Sequence, residues 1–282
     1  MTVERRRRSV LYMPAANARA LEKAKDLACD AIIFDLEDAV APDAKPLARE
    51  QAVAAVTSGE YGARELTIRC NGLDTQWGAD DLASVAGAGP AAVVIPKVDS
   101  TDQLDEVAAR LDAGGGSGVA IWAMVETPTA VFDVRRLAAH ERVAVLVLGT
   151  NDLARELRAP LIAGRSNLLA HLMTAVMAAR ETDKVVLDGV YNDVRDAEGF
   201  AAECRQGVEL GFDGKTLVHP SQVEPANEAW SPTAEEVELA QRVVAAYEEA
   251  EAEGRGVVTV DGKMVEHLHV ATARRTLALA AR

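Results

Sequence analysis

Eight short apolar runs recur at a nearly steady interval: SVLYM (9–13), AIIFDLED (31–38), LTIRCN (66–71), AVVIPKV (92–98), VAIWAMVET (119–127), VLVLGTND (145–152), VVLDGVY (185–191) and GKTLVHP (214–220). Most are continuous rather than alternating, the pattern of parallel strands covered by helices. Between them the chain turns rich in Ala, Leu, Glu and Arg at helical spacing. ARALEKAKDLA (18–28) puts Leu21, Ala24, Leu27 and Ala28 on one face, and STDQLDEVAARLDAG (100–114) opens on a cap signal and stops at Gly114. Eight strands alternating with helices predict an α/β fold of the (β/α)8 TIM-barrel type. An open doubly wound sheet is the alternative, weakened by the count of eight and by the lack of a GxGxxG turn after the first run.

Beyond Pro220 the pattern changes. SPTAEEVELAQRVVAAYEEAEAEG (231–254) reads as one long amphipathic helix, capped at Ser231 or Thr233 and stopped at Gly254. VVTVDGKMVE follows, with Asp261–Gly262 as a hairpin turn, and HLHVATARRTLALAA forms a last helix. The division expected is a barrel over residues 1–222 and a helical C-terminal extension over 223–282. The extension is too small to fold alone and is expected to pack as a lid on the barrel or on a neighbouring subunit.

Barrel chemistry gathers at the C-terminal ends of the strands. There the runs place Asp35, Glu37 and Asp38; Arg69 and Asn71; Lys97; Glu126; Asn151 and Asp152; Asp188; and His219. Glu126 and Asp152 form the best ligand pair, each closing an apolar run, on strands that are neighbours in a barrel. Carboxylates without a Cys/His cluster favour a hard ion, Mg²⁺ or Mn²⁺. The structural alternative pairs Glu126 with Lys97 or Arg69 and lets Asp152 cap a helix. Arg69 can fork onto a carboxylate or balance an enolate, or serve an ion pair with Glu37 or Asp38. Period-two alternation sets Asp35 and Glu37 on one face and Asp38 on the other. Asp35 reads as a structural partner inside the barrel, and Glu37 and Asp38 as groups that hold metal waters and orient Arg69.

Net charge is −14 from 30 basic and 44 acidic side chains. That sign disfavours nucleic acid and anionic membrane as partners. The basic run Arg5–Arg8 reads as a solvated terminal arm. No run approaches the roughly 18 apolar residues of a membrane span, and no apolar signal-peptide core follows the basic start, so a cytoplasmic protein is expected. Cys29, Cys70 and Cys204 lie far apart, as buried reduced thiols would.

Taken in order, RSVLYMPA (8–15), DAIIFDLEDAV (30–40), IRCNG (68–72), VIPKV (94–98), MVETP (124–128), LGTNDLA (148–154) and GFDGKTLVHPSQV (211–223) resemble the blocks of the HpcH/HpaI aldolase superfamily, in its citrate lyase β-subunit-like branch. The resemblance implies a homotrimeric or hexameric TIM barrel. Its C-terminal segment would reach a neighbour's site. The implied activity is a Mg²⁺-dependent carbon–carbon lyase on a 3-hydroxyacyl-CoA of malyl-, citramalyl- or citryl-thioester type, giving an acyl-CoA and a pyruvate- or glyoxylate-type oxo-acid. It implies Glu126 and Asp152 as metal ligands, with Glu126 and Arg69 contacting the oxo-acid. Glu37 and Asp38 would lie near metal-bound waters. Tyr12, Arg19 and Lys23 would lie towards CoA. The family's tail often carries a GxMID block whose aspartate is the base; here GKMVE puts Glu266 at that place. The longer side chain shifts the carboxylate by about a bond length, enough to alter a catalytic geometry. Two alternatives follow: a thioesterase or oxo-acid aldolase of altered chemistry, or the β subunit of a carrier-protein-dependent citrate lyase complex.

Overall fold

A computed structural model describes residues 5–280. Strands and helices alternate as β1 (Ser9–Pro14), α1 (Ala18–Ala24), β2 (Ala31–Asp35), α2 (Lys45–Thr57), β3 (Glu65–Arg69), α3 (Gly78–Ala86), β4 (Ala92–Ile95), α4 (Thr101–Ala113), β5 (Ala120–Val125), α5 (Pro128–Ala139), β6 (Val143–Leu148), α6 (Thr150–Glu156), α7 (Leu169–Glu181), β7 (Val185–Asp188), α8 (Ala197–Leu210), β8 (Gly214–Leu217) and α9 (Val223–Ala229). Each of the eight apolar runs overlaps a strand. All pair in parallel, and β8 returns to β1 to close the barrel, which removes the doubly wound alternative. Local signals set the helix starts. Ser100 and Gln103 form a reciprocal capping box at α4, and Thr127 caps α5 ahead of Pro128.

The lumen is filled by alternate residues. Val10, Ile33, Val94, Trp122, Met124, Val145, Val147 and Leu187 share one apolar cluster. The same faces carry on upward to Tyr12, Asp35 and Glu126, so the pleat of the strands delivers polar groups as the top layer of an apolar stack. At the opposite end Arg7 lies 5.5 Å over the Trp122 ring and forks onto Glu65 at 2.6 and 2.9 Å. Arg8 holds Asp30 at 2.8 Å. Arg7 and Arg8 are thus not part of a solvated arm: they pin the start of β1 to the first residue of β3 and to the residue before β2.

The compact barrel unit spans Arg7–Ala229. It runs past residue 222 because Asn227 on α9 is tied to it: Asn227 accepts from Ser9 Oγ at 2.7 Å and donates to the Ala28 carbonyl at 2.9 Å. The second unit contains residues 230–280 and the described start of the chain, residues 5–6. Within it, α10 (Ala234–Ala252) is capped by Thr233 and Glu236. The hairpin β9 (Val257–Val260) and β10 (Lys263–Glu266) turns at Asp261–Gly262, where both residues have positive φ, 50° and 76°. That is the turn geometry that matches strand twist. The last helix, α11 (His267–Ala280), completes a small core of Tyr247, Val260, Val265 and Val270.

Candidate active site

Register places Asp35 of β2 directly opposite Arg69 of β3. The guanidinium forks onto that carboxylate, Nε to Oδ1 at 2.7 Å and Nη2 to Oδ2 at 2.6 Å. Its remaining nitrogen, Nη1, lies 2.7 Å from Glu37 Oε2 and 3.7 Å from Asp38. The Tyr12 ring packs 4.8 Å from the guanidinium carbon. Desolvation opposes the Arg69 charge, but Asp35 overrides it and holds the group well above its ordinary value. Arg69 is therefore a fixed cation of set orientation. Asp35, not Glu37 or Asp38, does most of the orienting. Burial pushes the Tyr12 phenol up as well, so it stays a neutral hydroxyl.

Glu126 follows β5 directly and is 2% exposed. Its Oε1 accepts the Lys97 backbone N–H at 2.8 Å. Its other side presses on Gly149: a Cβ there would stand 2.3 Å from Glu126 Oε2. The glycine of LGTND is thus the space that Glu126 occupies. Gly149→Ala is expected to push Glu126 aside, to cost about 1–3 kcal/mol of stability, and to weaken divalent-ion binding more than tenfold; calorimetric titration with Mn²⁺ measures the last effect. Asp152 lies in the first turn of α6, where the cap position is Gly149 and no side chain caps the end. Asp152 is not a cap; it faces the Arg155 guanidinium at 2.6 Å.

Burial pushes the Glu126 carboxyl up to about 7; the Lys97 N–H opposes this, and Glu37 and Asp152 add to it. A buried carboxylate with this little compensation is a place for a cation. Among the described residues no group of three or more His, Cys, Asp or Glu side chains forms a metal cage. Two carboxylates suit a hard ion that keeps several positions for water or a chelating substrate. The raised value also fixes a sign. Glu126 binds a proton more tightly folded than unfolded, so its contribution to stability is complete at acid pH and is lost as pH rises through about 7. A divalent ion held by Glu126 below about pH 7 would have to displace that proton. Metal affinity is expected to fall about tenfold per pH unit below that point and to level off above it. Titration calorimetry in buffers of different ionisation enthalpy reads the released proton.

Glu37 is half-buried, and desolvation raises its carboxyl above its ordinary value while Arg69 opposes the rise. Asp38 is exposed. Arg19 and Lys23 are exposed one turn apart on α1. Glu266 ends β10 in the second unit, its N–H donating to His269 Nδ1 at 3.2 Å. Several strand-end residues do not join the group. Asp188 has the opposite parity to lumen-facing Leu187 and lies buried with Arg165 at 2.6 Å and Lys215 at 2.9 Å. Asn71 bonds Asp81 and the Leu36 carbonyl. Asn151 pairs with Asn192, and His219 caps the turn Pro220–Gln222. A cavity of about 610 Å³ bordered by Arg165, Tyr191 and Glu203 contains none of the Arg69–Glu126–Asp152 set.

Two supporting residues escaped the sequence reading. Gly149 has no signal without its neighbour's volume. Buried Lys45 donates to the Leu36 and Glu37 carbonyls at 2.8 and 2.9 Å and so shapes the turn that presents Glu37; as the first residue of α2 it gives no sign of this in the sequence.

Residues 8–220 match the family model described as HpcH/HpaI aldolase/citrate lyase. The chain is 49% identical over 273 residues to a (3S)-malyl-CoA thioesterase of Cereibacter sphaeroides, covering 97% of this chain and 94% of that protein. It is 35% identical over 283 residues to the citrate lyase subunit beta of Escherichia coli K12, covering 98% and 94%. Among solved structures, CitE from Mycobacterium tuberculosis in complex with magnesium, acetoacetate and coenzyme A superposes with a TM-score of 0.81 at 28% identity, over 97% of this chain and 98% of that one.

Proposed function

The chain belongs to the HpcH/HpaI aldolase/citrate lyase family, and from that premise we propose that it hydrolyses the thioester of a malyl-CoA-type 3-hydroxyacyl-CoA at a Mg²⁺ site. The observation that carries this reading is the near-half identity to a malyl-CoA thioesterase across almost the whole of both chains. It moves hydrolysis ahead of carbon–carbon cleavage, the activity that the sequence blocks alone favour.

Glu126 and Asp152 hold the ion, which when bound supplies Lewis acidity and a chelation point for the hydroxyacid. Arg69, locked by Asp35, presents positive charge to the oxygen that becomes negative when water adds to the thioester carbonyl. Glu266 takes the water proton. The carbon–sulfur bond then breaks, and the CoA thiolate leaves and is protonated. Arg19 and Lys23 give exposed cations for the CoA phosphates, and Tyr12 lies on the path to the thioester. In a homo-oligomer, Glu266 is supplied by a neighbouring copy.

Carbon–carbon cleavage is the second reading, favoured by the citrate lyase subunit beta relative. Here Glu266 takes the C3 hydroxyl proton, the C2–C3 bond breaks, and Arg69 balances the acyl-CoA enolate. Incubation with (3S)-malyl-CoA followed by liquid chromatography separates the two. Free CoA with intact malate is the expected product, and EDTA should suppress it at least about a hundredfold. Acetyl-CoA with glyoxylate as the main product overturns the thioesterase reading in favour of the lyase.

A further inference from the structure

Lys97 follows β4 in a conformation that side-chain-bearing residues rarely adopt, with φ at +49°. The preceding Pro96 has no N–H to offer Glu126, and the turn at Lys97 points its own N–H at Glu126 Oε1. Strain of this kind persists where the surroundings hold it in place. The same residue extends its ammonium across the barrel mouth, Nζ lying 3.5 Å from Glu37 Oε1. Desolvation disfavours the ammonium, but Glu37, Asp152, Glu126 and Asp38 all favour it and together raise its proton affinity. Two other cations also reach this group: Arg69 holds Asp35 and Glu37, and Arg155 holds Asp152 and Glu156. Lys97 is the cation of the group with the longest contact to it, on an exposed side chain whose charge both proposed metal carboxylates favour.

We propose that the Lys97 ammonium is a built-in competitor of the divalent ion: it faces Glu37 beside Glu126 and Asp152 in the metal-free protein and lowers the metal affinity by having to yield when the ion enters. Two parts of one residue then act in opposite senses. The backbone N–H positions Glu126 for the metal, and the side chain opposes the metal's charge. With the partial screening of an exposed side chain, a neighbouring unit positive charge weakens binding of a divalent ion by about tenfold. This inference rests on the reading of Glu126 and Asp152 as the metal carboxylates.

Lys97→Met keeps the N–H and the side-chain length and removes the charge. Lys97→Arg keeps both and serves as the control. Mn²⁺ titrated into wild type, each variant and Glu126→Gln, followed by electron paramagnetic resonance of the free ion, reads affinity without turnover. The expected result is Mn²⁺ bound about tenfold tighter by Lys97→Met, wild-type affinity for Lys97→Arg, and a metal-free Lys97→Met protein that melts lower and regains its melting temperature with Mn²⁺. Affinity that is unchanged or weaker in Lys97→Met, while Glu126→Gln abolishes binding, overturns the competition and leaves the metal site standing. Wild type that binds no Mn²⁺ overturns both.

Discussion

Glu126→Gln is expected to remove divalent-ion binding by at least about a hundredfold and turnover of the CoA thioester by about a thousandfold or more, while the fold survives. The replacement is nearly isosteric, and its amide oxygen can still accept the Lys97 N–H that Oε1 accepts now at 2.8 Å. What disappears is the charge. Glu126 is 2% exposed, and burial has already pushed its carboxyl up to about 7, so ionising it is costly in the metal-free protein. The neutral amide escapes that cost. At pH 8 the metal-free variant should therefore melt at or above the wild-type temperature, although it is inactive. Loss of function without loss of stability separates a ligand from a structural carboxylate, which would lose both. Mn²⁺ calorimetry, thermal melts at pH 8 and free-CoA release check the three parts. Wild-type Mn²⁺ affinity in Glu126→Gln would remove Glu126 from the metal site.

The barrel was legible because its signal is local and repeated. Eight apolar runs of strand length, each followed by a helical period, admit few topologies, and β8 closing on β1 is the one found. Glu126 and Asp152 stand out as candidates for a related reason: Glu126 directly follows β5, Asp152 lies just beyond β6, and strands adjacent in sequence are adjacent in the barrel. Partner choice was not legible. From the sequence, Glu37 and Asp38 are the acids that orient Arg69, and Asp35 is only a structural partner inside the barrel. The choice of Asp35 depends on the register between β2 and β3, which puts it and Arg69 at one level, and pleat parity alone cannot supply that. Parity also decides Asp188. It looks like another strand-end acid, yet the lumen-facing position is Leu187, and Asp188 turns to Arg165 and Lys215 instead. Gly149 is the extreme case, since its meaning lies in the volume of a side chain more than twenty positions away.

Arg69→Met should be the most damaging single change, because it fails twice. It leaves Asp35, 1% exposed, as a buried carboxylate without its fork, beside a Glu37 carboxylate that has lost its nearest cation. Breaking a buried ion pair from one side costs about 3–5 kcal/mol, which in a chain of this size lowers the melting temperature by about 10 °C. It also removes the cation facing the reacting carbonyl, worth about a hundred- to a thousandfold in turnover. The two losses have different cures. In the double variant Asp35→Asn/Arg69→Met neither buried charge remains, so most of the stability should return through a coupling of the kind that neighbouring residues show. Turnover should not return, because no cation has been restored. Arg69→Lys tests the geometry from the other side: a single ammonium keeps the charge but cannot span both Asp35 oxygens and still reach Glu37. It should keep more stability than Arg69→Met, yet remain at least tenfold below wild type in turnover. Melting curves and free-CoA release on the three variants decide the matter. A double variant that regains activity along with stability would make Arg69 a structural residue and leave the reacting oxygen's charge to the metal alone.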